Sequence, residues 1–246
     1  MPGMPHSKPH VTYLLGGGPG ALLALRRHLQ AALAEGGAAN PIVAYVGAAS
    51  NDNAAFFTMI RSGLALPRVR MRMARLASPR SSAAEARALI EDADLVFVSG
   101  GDVELGMKVL NDRDMAATLR RLAAQGRPMF GISAGAIMLA REWIAFPDDD
   151  EKAEVFSCLG IAPIHVDAHD EDDDWAELRA LLRLLARRGD KEPVGYGLTR
   201  KGGLRVDARG GQSRLTPLGT DTPRFVVRHG EVVADAPLAL RDAPGS

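Results

Sequence analysis

The sequence predicts a three-layer α/β/α fold built on an open, mostly parallel sheet. Short apolar or β-branched runs alternate with longer Ala-, Leu- and Arg-rich stretches of helical spacing, the βαβα rhythm of such sheets. One run, residues 95–98 (Leu-Val-Phe-Val), is apolar throughout, as a strand buried on both faces should be.

The elements follow in order. Residues 11–15 form a strand candidate, ended by Gly16-Gly17-Gly18-Pro19-Gly20. Residues 22–34 read as a helix, with Leu22, Leu25, Leu29 and Leu33 near one face. Residues 41–46 form a second strand. Ser50 or Asn51 is the expected cap of a helix carrying Phe56, Phe57 and Ile60. Residues 69–73 form a third strand whose alternate face is basic, and Ser81 or Ser82 caps a helix ending near Asp92. After the fourth strand, 95–98, come helices around 103–110 and 115–125, then a fifth strand over 127–132. Active sites in open α/β sheets lie beyond the carboxyl ends of the strands. Those ends, at residues 16–20, 47–51, 99–102 and 131–136, are rich in small residues, so the backbone can approach a ligand.

The pattern changes after Phe146. An acidic stretch at 148–151 leads to an apolar run at 160–166, and a second acidic cluster, 170–174, precedes a helix over 175–188. Acidic residues favour helix N-termini, which suits the second cluster. Near the end, residues 225–233 read as a hairpin with His229-Gly230 at its turn. There are no repeats and no linker long enough to set off a second domain. One domain spanning 1–246, with its core at about 11–235, is expected.

Composition narrows the function classes. A chain 46% hydrophobic and 24% charged is ordinary globular protein, which excludes a disordered or collagen-like chain. No apolar run approaches the roughly 20 residues that span a bilayer, and residues 1–6 lack a secretory pattern; a cytoplasmic location is expected. Thirty basic residues cancel thirty acidic ones, with no basic stripe, so neither nucleic acid nor a membrane is the expected partner. The single cysteine, Cys158, excludes an intramolecular disulfide and a Cys-based zinc site.

The most specific local signal is Gly131-Ile132-Ser133-Ala134-Gly135-Ala136, between a strand and a helix expected over 137–141. In that context G-x-S-x-G is a nucleophile elbow. Ser133 would stand on a sharp turn with its hydroxyl in the crevice, and the Ala134 N–H would face a developing oxyanion. A serine needs a base. His6 and His10 are placed in the N-terminal tail, His28 on the first helix and His229 at a hairpin turn, which leaves His165 or His169. A carboxylate should orient that imidazole, and Asp148, Asp149, Asp150, Asp167 and Asp170 are candidates. At the end of the fourth strand, Ser99-Gly100-Gly101-Asp102 can supply a second oxyanion donor from the backbone, with Asp102 as a helix cap.

Together these residues resemble the dipeptidase E and cyanophycinase family of serine exopeptidases, which share the fold of class I glutamine amidotransferases. The resemblance is carried by Gly16-Gly17-Gly18, residues 96–102, the 131–136 elbow, Leu159-Gly160-Ile161-Ala162-Pro163 leading to His169, and Val194-Gly195-Tyr196-Gly197-Leu198 before a terminal β segment. It implies that Ser133 is the nucleophile, that His169 and not His165 is the base, and that Asp148 completes the triad, with Asp149 and Asp150 as its neighbours. It implies an oxyanion hole of Ala134 with Gly100 or Gly101. Short peptides are the implied substrates, no metal or organic cofactor is implied, and a homodimer is an allowed assembly. One departure concerns specificity. The dipeptidase branch carries an arginine after its histidine that recognises an N-terminal aspartate, whereas residues 170–174 here are Asp-Glu-Asp-Asp-Asp and the next arginine is Arg179. An acidic mouth favours an amine or a basic group.

Rival readings are an α/β-hydrolase, a metal site at His165-x-Asp167-x-His169, a dinucleotide-binding turn at Gly16-x-Gly18, and Cys158 as the nucleophile. The weightiest is a catalytically silent binding or regulatory domain that has kept the elbow.

Overall fold

The five sequence-predicted strands are the heart of the computed structural model, which describes residues 10–146, 152–209 and 212–241. They are β1 (His10–Leu15), β2 (Ile42–Val46), β3 (Arg70–Ala74), β4 (Leu95–Val98) and β5 (Met129–Ile132). They pair in parallel in the order β1-β5-β4-β2-β3. The intervening helices are α1 (Leu22–Gly36), α2 (Ala54–Leu64), α3 (Ala83–Asp92), α4 (Val103–Asp112) and α5 (Met115–Ala124).

Side-chain alternation along these strands divides the interior in two. Tyr13, Leu15, Val43, Tyr45, Leu95, Phe97, Phe130 and Ile132 face one way and pack with Leu25 and Leu29 of α1 and Ile60 and Leu64 of α2. Leu14, Ala44, Val46, Val96, Val98 and Met129 face the other way, toward α3, α4 and α5. On the first face the rings of Tyr13, Phe130, Phe97 and Tyr45 stack in succession across four neighbouring strands, with centroids 5.8, 5.3 and 5.6 Å apart. Aromatic pairs at such spacings add to the area they bury.

Helix caps follow the chemistry with one shift. Ser82 caps α3, accepting from the Glu85 N–H, as expected. The cap of α2 is Asn53, which accepts from the Phe56 N–H at 2.9 Å, and neither Ser50 nor Asn51. Ser50 and Asn51 are taken up in the tight turn that leaves β2, and Asn is among the strongest N-caps. His10 belongs to β1 rather than to a tail, and its Nε2 lies 3.1 Å from the Ile161 carbonyl.

The remaining elements are α6 (Ala134–Leu139), β6 (Glu142–Ala145), β7 (Glu154–Ser157), β8 (His165–Ala168), α7 (Ala176–Arg188), β9 (Val194–Leu198), β10 (Gly203–Arg209), β11 (Gln212–Leu218), β12 (Thr222–Arg228) and β13 (Glu231–Leu238). β10 and β11 extend the large sheet antiparallel beyond β1, making seven strands among the described residues. β8 and β9 pair in parallel around α7, and β12 and β13 complete a second sheet of order β13-β12-β9-β8. The hairpin at His229-Gly230 is present as expected. The β6–β7 pair was not foreseen. α7 buries Leu178, Leu181, Leu182 and Leu185, a helical i, i+3, i+4, i+7 stripe. No helix among the described residues is long and apolar enough to cross a membrane.

Candidate active site

Ser133 stands between β5 and α6 with φ 50° and ψ −129°. A non-glycine residue in that region carries strain of order 1–3 kcal/mol. The bend persists because the surrounding backbone is packed against it. A methyl at Gly135 would lie 2.2 Å from the Val98 carbonyl oxygen, and one at Gly131 would lie 2.6 Å from the Gly135 oxygen. The two elbow glycines are therefore steric requirements. The Ser133 N–H donates to the Leu15 carbonyl at 2.9 Å, continuing the β1–β5 ladder to the tip of the turn. α6 begins at Ala134, immediately after the serine, and ends at Leu139, earlier than the 137–141 expected.

The histidine arrives from the second sheet. His169 follows β8 with φ 53°, and its N–H donates to the Leu198 carbonyl at 2.8 Å. Its Nε2 lies 2.8 Å from Ser133 Oγ, and both residues are half-buried. For the imidazole to accept the serine proton, its own proton sits on Nδ1. The ends of the two sheets meet at Gly16, where a methyl would lie 2.2 Å from the Thr199 oxygen and 2.4 Å from the Leu198 oxygen. The first glycine of the 16–20 run thus serves the seam between sheets, which answers the dinucleotide reading of that turn.

The β4 turn flanks the serine. A Cβ on Gly100 would come 3.0 Å from Ser133 Cβ and 3.4 Å from its Oγ. Gly101, with φ 144°, turns tightly against Ala49. Asp102 caps α4, accepting from the Leu105 N–H at 2.8 Å. Ala134 is buried. Asp148 lies outside the described residues, as do Asp149 and Asp150. Among the described carboxylates, Asp170 adjoins His169 and interacts with it electrostatically. Burial first, then the Asp173 carboxylate, push the Asp170 acid up, while His169 draws it down.

His165 and His169 have separate environments. His165 is buried at the start of β8, with Nε2 3.2 Å from Glu142 Oε2 and Nδ1 3.3 Å from the Val194 carbonyl. Arg188 holds the same Glu142 through two bonds of 2.8 and 3.1 Å, and this pair chiefly keeps the Glu142 acid below its ordinary range. The rival metal site at His165-x-Asp167-x-His169 needs the three side chains on one strand face, and the backbone leaves extended geometry at His169. Among the described residues no three His, Cys, Asp or Glu side chains are grouped as metal ligands. Cys158 is buried, and burial pushes its thiol up to about 12, so it is not a thiolate near neutrality.

Sequence reasoning missed Arg200. It follows β9, and its N–H donates to Glu171 Oε1 at 2.7 Å while its guanidinium meets Asp172 at 2.5 Å. A Cβ on Gly18 would touch both Arg200 Cγ at 3.7 Å and His169 Cγ at 4.0 Å, so Arg200 flanks the histidine. The β8–β9 pairing is the signal that would have found it. Arg179 instead covers the Phe225 ring and bonds the Asp174 and Val232 carbonyls.

A strained serine at a strand–helix turn, with an imidazole at hydrogen-bond distance, on a mainly parallel α/β sheet, defines the class: a peptidase-type α/β fold. The chain belongs to peptidase family S51, whose model matches residues 13–209; this is the dipeptidase E family. Two solved structures share the fold. One is a peptidase from an acI-B1 Actinobacterium, with TM-score 0.69 and 18% identity over 93% of this chain and 98% of that one. The other is a putative peptidase E protein from Listeria monocytogenes EGD-e, with TM-score 0.60 and 12% identity over 86% and 100%. A curated relative, the pyridoxal 5'-phosphate synthase subunit PdxT of Bacillus velezensis, is 38% identical over 53 residues. That match takes in 22% of this chain and only 27% of the relative.

Proposed function

We propose that this peptidase hydrolyses peptide or isopeptide bonds of short peptides as a serine exopeptidase, through an acyl-enzyme. The observation that carries the proposal is the 2.8 Å approach of Ser133 Oγ to His169 Nε2 on the strained elbow. His169 takes the hydroxyl proton as Oγ attacks the scissile carbonyl carbon. The Ala134 N–H, with that of Gly100 or Gly101, holds the oxyanion. The carbonyl re-forms as the C–N bond breaks, and His169 gives its proton to the leaving amine. Water then loses a proton to His169 and attacks the ester carbon; the C–Oγ bond breaks, the acid is released and His169 returns its proton to Oγ, which regenerates Ser133.

Asp148 is the proposed third member of the triad, on the family resemblance. At the mouth, the acidic 171–174 segment is partly answered by Arg200, so substrates with a free amine or a basic group are favoured without acidic groups being wholly repelled. Work in the cytoplasm on small peptides, alone or as a homodimer, completes the proposal.

The test is a fluorophosphonate probe on the folded protein, with the adduct located by mass spectrometry, followed by a library of short peptides with acidic, basic and isopeptide-linked N-terminal residues. Labelling of Ser133 and turnover of some library members are expected. A folded protein that takes no label would instead be the silent class I glutamine amidotransferase-like domain.

A further inference from the structure

The neutral total charge hides an uneven distribution. Between Asn53 and Ala84 there are six arginines (Arg61, Arg68, Arg70, Arg72, Arg75 and Arg80) and no Asp or Glu. This segment contains β3, the edge strand of the large sheet. Elsewhere many guanidiniums are answered: Arg121 by Glu91, Arg188 by Glu142 and Asp190, Arg205 by Glu35 and Asp207, and Arg224 and Arg228 by Asp235. Arg113 and Arg120 donate to backbone carbonyls. Among the described residues the guanidiniums of Arg72, Arg75 and Arg80 form no such bond; all three side chains are exposed.

These three converge. They line one cavity of about 450 Å³ between β3 and the first turns of α3, together with Ser81, Ser82 and Glu85. An edge strand gains protection from aggregation by carrying charge, which accounts for Arg70 and Arg72 on the strand. It does not account for Arg75 and Arg80, which lie beyond the strand and turn into the same cavity. Three like charges around one hollow repel one another, and Glu85 offsets only one of them. The α3 N-terminus adds positive potential to the same space. An anion with several negative oxygens relieves this repulsion and matches the planar donor forks of arginine. The volume lies in the range of small-molecule sites and exceeds what a lone monovalent ion would fill.

We propose that this cavity is a binding site for a small polyphosphorylated molecule, separate from the Ser133–His169 pair. β3 is three strands from β5 in the sheet order, roughly 14 Å at the usual strand spacing. The ligand therefore need not touch the serine. The proposal stands whether or not Ser133 is a working nucleophile.

Isothermal titration of the full chain with inorganic pyrophosphate at low ionic strength tests it. Saturable 1:1 binding is expected, weakening as salt is added. The triple variant Arg72→Gln/Arg75→Gln/Arg80→Gln should bind at least about tenfold more weakly, whereas Ser133→Ala should bind as the unaltered protein does. Because the three side chains are exposed, the triple variant should fold. Its melting temperature should also be indifferent to pyrophosphate, while that of the unaltered protein rises. No binding at millimolar pyrophosphate, or equal binding by the triple variant, would overturn the proposal. So would a single-stranded oligonucleotide that binds through these arginines without being displaced by pyrophosphate, since that would make the patch a nucleic-acid surface.

Discussion

Ser133 and His169 reach the same point by different means. The serine is held by steric exclusion: β1, β4 and β5 end around it, and its flanking glycines have backbone oxygens where a methyl would go. The histidine comes from the small sheet at the mouth of a carboxylate-rich loop, anchored by one backbone bond to Leu198. Around it, Asp167 and Asp170 are both pushed up by burial. Packing fixes Ser133, while hydrogen bonding places His169 among carboxylates. The serine side should therefore break under changes of volume, and the histidine side should respond to changes of charge and pH.

The largest expected effect is on the proposed nucleophile itself. Ser133→Ala should lower kcat by roughly 10⁴-fold or more and abolish fluorophosphonate labelling, with little change in stability. His169→Ala should be comparable in kcat. His165→Ala should leave kcat nearly intact and lower stability by about 1–3 kcal/mol, because Glu142 and the Val194 carbonyl each lose a buried partner and Arg188 is left to hold Glu142. Equal kcat losses at the two histidines, measured on one peptide substrate, would contradict the assignment of the base.

Gly135→Ala comes next and probes the steric side alone. Its methyl meets the Val98 and Ser99 carbonyl oxygens, which belong to a buried strand end and cannot swing aside. A loss of about 3 kcal/mol or failure to fold is expected, measured as the urea midpoint. A stable, fully labelled Gly135→Ala protein would show that the elbow is looser than its packing indicates.

The serine side was legible in the sequence because its determinants are local. G-x-S-x-G between a strand and a helix states both the bend and the need for small neighbours within six residues. The strand order beyond alternation was not legible, since nothing local makes β5 lie between β1 and β4. The proposed base was legible by elimination only to His165 or His169; the resemblance chose between them, and of the two it is His169 whose ring lies beside Ser133. Arg200 was invisible because it lies 31 residues beyond His169 (200 − 169) and comes alongside only through the parallel β8–β9 pairing. The β6 strand was missed because all of Glu-Trp-Ile-Ala is buried, so it shows no alternation, and its glutamate is accommodated by His165 and Arg188.

On the histidine side, the orienting carboxylate separates the two modes of control. Asp148→Asn should lower kcat by roughly 10²- to 10⁴-fold if it holds the imidazole tautomer. Asp170→Asn, which keeps the shape of a neighbouring group and removes its charge, should cost under about tenfold in kcat. The reverse ranking, with Asp170→Asn the more damaging, would move the triad assignment to the residue beside His169.

The smallest expected effect on the chemistry is at Asp167, where the change falls on the stability of the histidine side instead. Asp167 is only 4% exposed. Its Oδ1 accepts from the Ala168 N–H at 2.6 Å, and Oδ2 has no partner among the described residues. Burial above all, then the Asp170 and Glu177 carboxylates, push its acid from the ordinary 3.8 up to about 8. Below about pH 4 the folded and unfolded chains both hold the proton, and Asp167 costs nothing. Between about pH 4 and 8 the unfolded chain has lost it while the folded chain keeps it, so stability falls as pH rises; above about 8 both are ionised and the fall stops. Asparagine imitates the protonated acid throughout. Asp167→Asn should leave the urea midpoint unchanged at pH 4 and raise stability by about 2 kcal/mol or more at pH 7.5, with kcat close to unaltered. The same gain at both pH values would mean that packing, and not a retained proton, is what the substitution improves.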